Sequence, residues 1–259
     1  MIPILDTKRQ YKQIQDEVEK NVLDVLRSGS YILGKYNKEL EAKMQEYIGV
    51  KHCVTLNSGT DALHLALRAL DIGKGDEVIT VAFTFVATTE AIGIVGATPV
   101  FVDIDNDTFD IDPKLIEEKI TPKTKAILVN SPCNPTGKVF SKEDNEAIYE
   151  CIKDHPIFVI SDEIYREIVF DGVECPSLSD YQDLRDRMFI LNGVSKSFAM
   201  TGWRIGYIAA PEWIVKGCNK LQGQYTSGPC SVSQKAAEAA YTMDQTCVET
   251  MRQAFQRRR

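Results

Sequence analysis

Hydrophobic and polar positions change their spacing along the chain. Tyr11, Ile14, Val18, Val22 and Val25 recur at three- and four-residue steps, which predicts an amphipathic helix ending at Gly29. A second helix is expected after Gly34, turning Leu40, Met44 and Tyr47 inward. From about residue 51 the pattern shifts to short runs rich in Val, Ile and Phe: "HCVTLN", "DEVITVAF", "TPVFVDI", "KAILVN", "IFVISD" and "MFILNGV". These read as strands. Helical spacing fills 59–70, 84–95, 112–119 and 141–153 between them. The alternation predicts an α/β fold, a three-layer sandwich with helices on both faces of a mostly parallel central sheet. Ligands in such sheets sit beyond the carboxyl ends of the strands, so residues just after strands are the candidates for chemistry. At the end of the chain, Tyr241, Val248, Met251 and Phe255 share one face of an expected terminal helix. Left bare, that face would favour self-association.

Composition narrows the function classes. Of 259 residues 44% are hydrophobic and 26% charged, so a packed core is expected and disorder is not. The net charge of −7 leaves no basic face for nucleic acid, and the terminal "RRR" reads as a solvated helix end. No run approaches ~18 apolar residues, so no membrane span is expected. Seven scattered cysteines contain no CxxC pair and no zinc spacing, so no metal is expected and a reducing cytoplasm is.

Four stretches stand just after strands. "NSGTDALHLAL" begins at Asn57 and runs into a helix near Thr60. The first-turn N–H groups, with hydroxyls of Ser58 and Thr60, suit a phosphate, although plain helix capping by Ser58 explains the same residues. "NSPCNPTG", Asn130 to Gly137, makes a rigid bend that is either a simple turn or a mount for the Asn134 amide. Asp162 ends an apolar strand, where an unpaired carboxylate is costly; Tyr165 follows three residues on. "GVSKSFAMTGWRIGY" sets Lys196 between two serines, with Arg204 eight positions later. A lysine amine becomes a nucleophile when desolvation or a second cation disfavours its charge. Arginine is suited to gripping a phosphate. A Schiff-base lysine, an aspartate for a pyridinium nitrogen and a phosphate cup are together the parts that hold pyridoxal 5'-phosphate.

In these motifs the chain resembles the fold-type I pyridoxal-phosphate aminotransferases. Residues 1 to about 128 are similar to the DegT/StrS-type sugar aminotransferases in "GSYILGK", "NSGTDALHLALRAL", "GDEVITVAFTFVAT" and "GATPVFVDID". Residues from about 129 to 259 are similar to the class I aspartate/aromatic aminotransferases in "NSPCNPTGKVFS", "SDEIYREIVFDG" and "VSKSFAMTGWRIGY". The chain therefore reads as a chimera of two branches.

The resemblance implies a large cofactor-binding domain over 51–230, preceded by a helical segment over 1–50. Residues 231–259 are expected to begin the helix toward a small C-terminal domain that this sequence lacks. By the same resemblance Lys196 forms the Schiff base and moves the proton between substrate and cofactor. Asp162 pairs with the pyridine nitrogen, while Tyr165 and Asn134 bond the phenolic oxygen. Arg204 binds the phosphate with Gly59 and Thr60, near Ser58 and Ser195. Phe85 stacks on the ring, unless it is a core phenylalanine. Many relatives carry a phosphate-binding serine where this chain has Gly193. The expected partners are a small-molecule amino donor, a keto acid or keto sugar acceptor, and a second copy in a homodimer. A lyase using the same cofactor, a cofactor-binding scaffold without turnover and a plain α/β binding domain remain the rival readings.

Overall fold

The computed structural model describes residues 6–259; the first five residues of the expected helical segment lie outside the described residues. Helix α1, Thr7–Ser28, starts where Asp6 accepts the Arg9 N–H and stops at Gly29, which adopts the left-handed φ of 63°. Helix α2, Lys35–Ile48, buries Leu40 and Met44. The α1 face differs from expectation. Val25 is buried, but Tyr11 and Ile14 are exposed, because α1 packs on the body mainly through its later turns.

Seven strands build one sheet: β1 Cys53–Leu56, β2 Glu77–Val81, β3 Thr98–Val102, β4 Thr124–Asn130, β5 Phe158–Asp162, β6 Met188–Gly193 and β7 Gly206–Ala209. Their order is β1-β7-β6-β5-β4-β2-β3. The sheet is mostly parallel; β7 alone runs against its neighbours β1 and β6. The pattern of short apolar runs had not marked β7.

Both faces are covered, as fully apolar parallel strands require. Val78, Ala126, Leu128, Ile160, Leu191 and Ile208 face helices α3 (Gly59–Ala69), α4 (Val86–Val95) and α6 (Glu212–Tyr225). The alternate residues Ile79, Ile127, Val129 and Val159 face α5 (Lys142–Ile152). Cys53, Tyr207 and Ala209 face α2 and α7 (Ser231–Thr242). This period of two is the pleat at work. The helix expected over 112–119 is instead two short 3-10 turns, Pro113–Leu115 and Glu117–Lys119. Asp112 caps the first, and Ile116 N–H and Lys119 N–H each bond three residues back.

The chain's last segment also departs from expectation. It breaks at Met243–Gln245 into α7 and a separate α8, Thr246–Arg258. The apolar face is not bare: Tyr241 and Val248 are buried, and Phe255 alone of the four is exposed. Arg252 holds α8 to the body by donating to the Val169 carbonyl at 3.0 Å, and Gln256 donates to Asp171 at 3.1 Å.

Candidate functional site

The carboxyl ends of β2, β4, β5 and β6 lie along one edge of the sheet, joined by β1, which also runs against β7. Asn130 at the end of β4 is the direct register partner of Asp162 at the end of β5. Asp162 pairs in turn with Leu191 of β6, and the chain leaves β6 toward Lys196.

The Asp162 carboxylate accepts the Ile164 N–H at 3.1 Å. Desolvation pushes its proton affinity up to about 6, with the Glu163 charge adding to this. The Ile164 bond and the Lys196 charge act in the opposite direction. Lys196 Nζ stands 5.5 Å from the centroid of the Tyr165 ring, within cation–π range. The Asn134 amide donates to the Tyr165 hydroxyl at 3.4 Å, a long bond. Lys196, Asp162, Tyr165 and Asn134 thus form one cluster.

One residue that organises this cluster escaped the sequence reading. Asn130 is buried, donates to the Asp162 carbonyl at 2.9 Å and accepts the Asn134 N–H at 3.0 Å. It ties the bend to the strand end. Its signal was its place, a polar residue closing an apolar strand at the first position of "NSPCNPTG". The bend itself has cis bonds at Ser131–Pro132 and Asn134–Pro135. It is closed by Gly137 N–H on Cys133 carbonyl and Cys133 N–H on Lys138 carbonyl, both 2.9 Å.

At the start of α3, Ser58 Oγ accepts the Asp61 N–H at 3.0 Å, so its hydroxyl is used as a helix cap. Gly59 and Thr60 contribute first-turn N–H groups, which a helix leaves without internal partners. A Cβ on Gly59 would meet nothing within 4 Å, so the space before this turn is open. Gly206 is the reverse case. A Cβ there would lie 2.4 Å from Ser58 C and 2.6 Å from Gly59 N, so only glycine lets β7 pass the turn. Sequence reading missed Gly206 although it quoted the motif that contains it.

Arg204 sits two residues earlier, exposed, at a left-handed φ of 58° that is uncommon outside glycine. Its Nη1 donates to the Thr201 carbonyl at 2.9 Å. Thr201 Oγ1 in turn donates to the Ser195 carbonyl at 2.9 Å. Phe85 is 54% exposed just before α4, which removes the core-phenylalanine alternative. Among the described residues the side chains of Phe85, Thr60 and Ser195 make no hydrogen bond to the lysine cluster. Gly193 has a physical reason: a Cβ would lie 2.7 Å from the Ile205 carbonyl oxygen.

A cavity of about 860 Å³ lies elsewhere, extending past Glu163, Arg166, Asn192 and Tyr207 to Lys51 and His52 at the opposite edge of the sheet. Among the described residues no cluster of three His, Cys, Asp or Glu could hold a metal ion. No described helix is long and apolar enough to cross a membrane.

Comparison with known proteins follows the same geometry. The model of the DegT/DnrJ/EryC1/StrS aminotransferase family matches residues 12–163. An aspartate aminotransferase of Geobacillus stearothermophilus is 39% identical over 213 residues, covering 82% of this chain and 52% of that protein. A bifunctional aspartate aminotransferase and glutamate/aspartate-prephenate aminotransferase of Petunia hybrida is 43% identical over 190 residues, 71% of this chain and 40% of its own length. Among solved structures, the aromatic aminotransferase from Pyrococcus horikoshii OT3 superposes with a TM-score of 0.86 at 31% identity, covering 94% of this chain and 69% of that one. The maleate-bound aspartate aminotransferase from Thermus thermophilus gives 0.85 at 31% identity, over 94% and 66%. The chain spans about half the length of the curated relatives it matches.

Proposed function

Because the chain belongs to the DegT/DnrJ/EryC1/StrS aminotransferase family and has the large-domain fold of the fold-type I enzymes, we propose that it is a pyridoxal-phosphate-dependent aminotransferase. It would move an amino group from an amino acid, aspartate first among the candidates, to a keto acid or keto sugar. The observation that carries the reading is the meeting of Lys196, Asp162 and Tyr165 at the carboxyl ends of β5 and β6.

The residues present fit the cofactor. Among the described residues the Asp162 carboxylate has no salt bridge, and desolvation disfavours its charge, so a cationic ring nitrogen would be a welcome partner. The open space before Gly59 and the free first-turn N–H groups suit a phosphate. When bound, the cofactor supplies an electron sink for the substrate α-carbon. Lys196 Nζ would attach it and then hold or release a proton as a general base. Asp162 would stay ionised to keep the ring nitrogen cationic. Tyr165 and Asn134 would hold the phenolic oxygen, and Arg204, with Gly59, Thr60 and the neighbouring Ser58 and Ser195, would hold the phosphate. Phe85, exposed beside them, would cover one ring face.

Exposed Leu23, Leu26, Tyr31 and Ile32 offer an apolar surface that supports a homodimer. Seven free cysteines support a reducing cytoplasm.

The test is to supply [15N]aspartate and a keto acid to the cofactor-loaded chain and follow the label by NMR. Label in the new amino acid is expected. Label released only as ammonium would indicate a lyase, and bound cofactor with no transfer would indicate a scaffold; either outcome overturns the proposal.

A further inference from the structure

Beneath the bend that carries Asn134 lies a buried polar group that the aminotransferase reading does not use. The loop 103–112 closes on itself through Asp105 N–H on the Asp110 carbonyl at 2.9 Å and Asp112 N–H on the Asp103 carbonyl at 3.0 Å. This turns Asp110 inward, 2% exposed. Its Oδ1 accepts the Ile111 N–H at 2.8 Å, and its Oδ2 is buried without a hydrogen-bond partner. The group that faces it is the thiol of Cys133, itself 5% exposed. Cys133 Sγ lies 3.9 Å from the Phe83 carbonyl oxygen, to which it donates.

An orphaned carboxylate oxygen in such a place is costly, and a neutral carboxyl group is not, provided its proton finds an acceptor. We propose that Asp110 is a positioning residue for the candidate site: in its neutral form it donates to Cys133 Sγ, leaving the thiol proton for the Phe83 carbonyl. The relay spans three segments. Asp110 anchors the 103–112 loop, Cys133 the bend next to Asn134, and Phe83 the segment that leads to Phe85. Ionisation reverses the direction. A carboxylate accepts a hydrogen bond from the thiol, which keeps its proton, and the Phe83 carbonyl loses its donor.

The surroundings agree with the neutral form. Desolvation pushes the Asp110 carboxyl up and the Cys133 thiol up to about 11, so the thiol keeps its proton at neutral pH. The other charged groups facing Asp110 are Lys138 from the bend and Asp144 from α5, which pair with each other at 2.8 Å and offset one another. The relay rests on the proposed site for its purpose and on none of the site's chemistry for its existence.

The test therefore begins without cofactor. The S–H stretching band of Cys133 is assigned in the infrared as the difference between the wild-type chain and Cys133→Ala, then followed from about pH 4 to about pH 9. The band is expected to move to lower frequency as Asp110 ionises and a charged acceptor replaces a carbonyl. In Asp110→Asn, whose amide still donates but cannot ionise, the band should stay fixed. The pH dependence of pyridoxal phosphate binding should be severalfold steeper in the wild type than in Asp110→Asn, with weaker binding at the upper end; the part due to Asp162 is common to both chains. A wild-type band that ignores pH overturns the proposal, even if Asp110→Asn does not fold. So does a band that moves alike in both chains. Failure to bind cofactor would count against the aminotransferase reading and leave the infrared result to stand alone.

Discussion

Asp162→Asn should make the cofactor-free chain more stable at neutral pH. The substitution keeps size and shape, and the amide oxygen can still accept the Ile164 N–H that the carboxylate accepts at 3.1 Å. What it removes is a charge that desolvation disfavours. Moving an aspartate from its ordinary 3.8 to about 6 corresponds to about 3 kcal/mol at 1.36 kcal/mol per decade. Asp162 is partly open to the site, so solvent reduces this, and about 1–3 kcal/mol is the expected gain. The sign follows from linkage. A carboxyl whose folded proton affinity is raised stabilises the fold fully below pH 3.8, and that contribution is lost as pH rises through about 6. The two chains should therefore match near and below pH 4, diverge as pH rises from there, and differ by the full amount above about pH 6. Urea unfolding of both cofactor-free chains at a series of pH values reads this directly. Equal midpoints at pH about 7.5, or an advantage to the wild type, would refute the claim that a desolvated, uncompensated carboxylate ends β5.

Two glycines give further predictions. Gly193→Ser, which would restore the serine expected from the resemblance, should cost about 1–3 kcal/mol in urea unfolding because its Cβ meets the Ile205 carbonyl at 2.7 Å. It should not tighten cofactor binding; tighter binding without loss of stability would show that the strand end can yield. Gly206→Ala should push the α3 turn away from β7 and weaken pyridoxal phosphate more than pyridoxal, measured by fluorescence titration, since the displaced N–H groups are the ones proposed to hold the phosphate. Equal losses for both ligands would place the phosphate elsewhere.

Much of this was legible in the sequence, for reasons that differ between elements. Strands β2, β4, β5 and β6 are near-continuous apolar runs because both faces are buried, whereas the edge strand β3 leaves Phe101 exposed; the ends of β4 and β5 marked the bend at Asn130 and Asp162 directly. Ser58 and Gly29 behaved as their capping chemistry requires. What stayed hidden depended on contacts far apart in sequence. β7 is four residues long, and its pairing with both β1 and β6 leaves no local trace. The need for glycine at 206 comes from Ser58, and the covering of Val248 comes from a fold-back that no helical period reveals. Asp110 and Cys133 lie 23 positions apart in unrelated motifs, so only the folded chain brings them together.

The central claim is that Lys196 holds the cofactor opposite Asp162. Incubating the chain with pyridoxal phosphate, reducing with borohydride and mapping the modified peptide by mass spectrometry tests it most directly. The label should fall on the peptide containing Lys196 and disappear in Lys196→Ala. Specific labelling of any other lysine, or undiminished labelling of Lys196→Ala, would contradict the assignment.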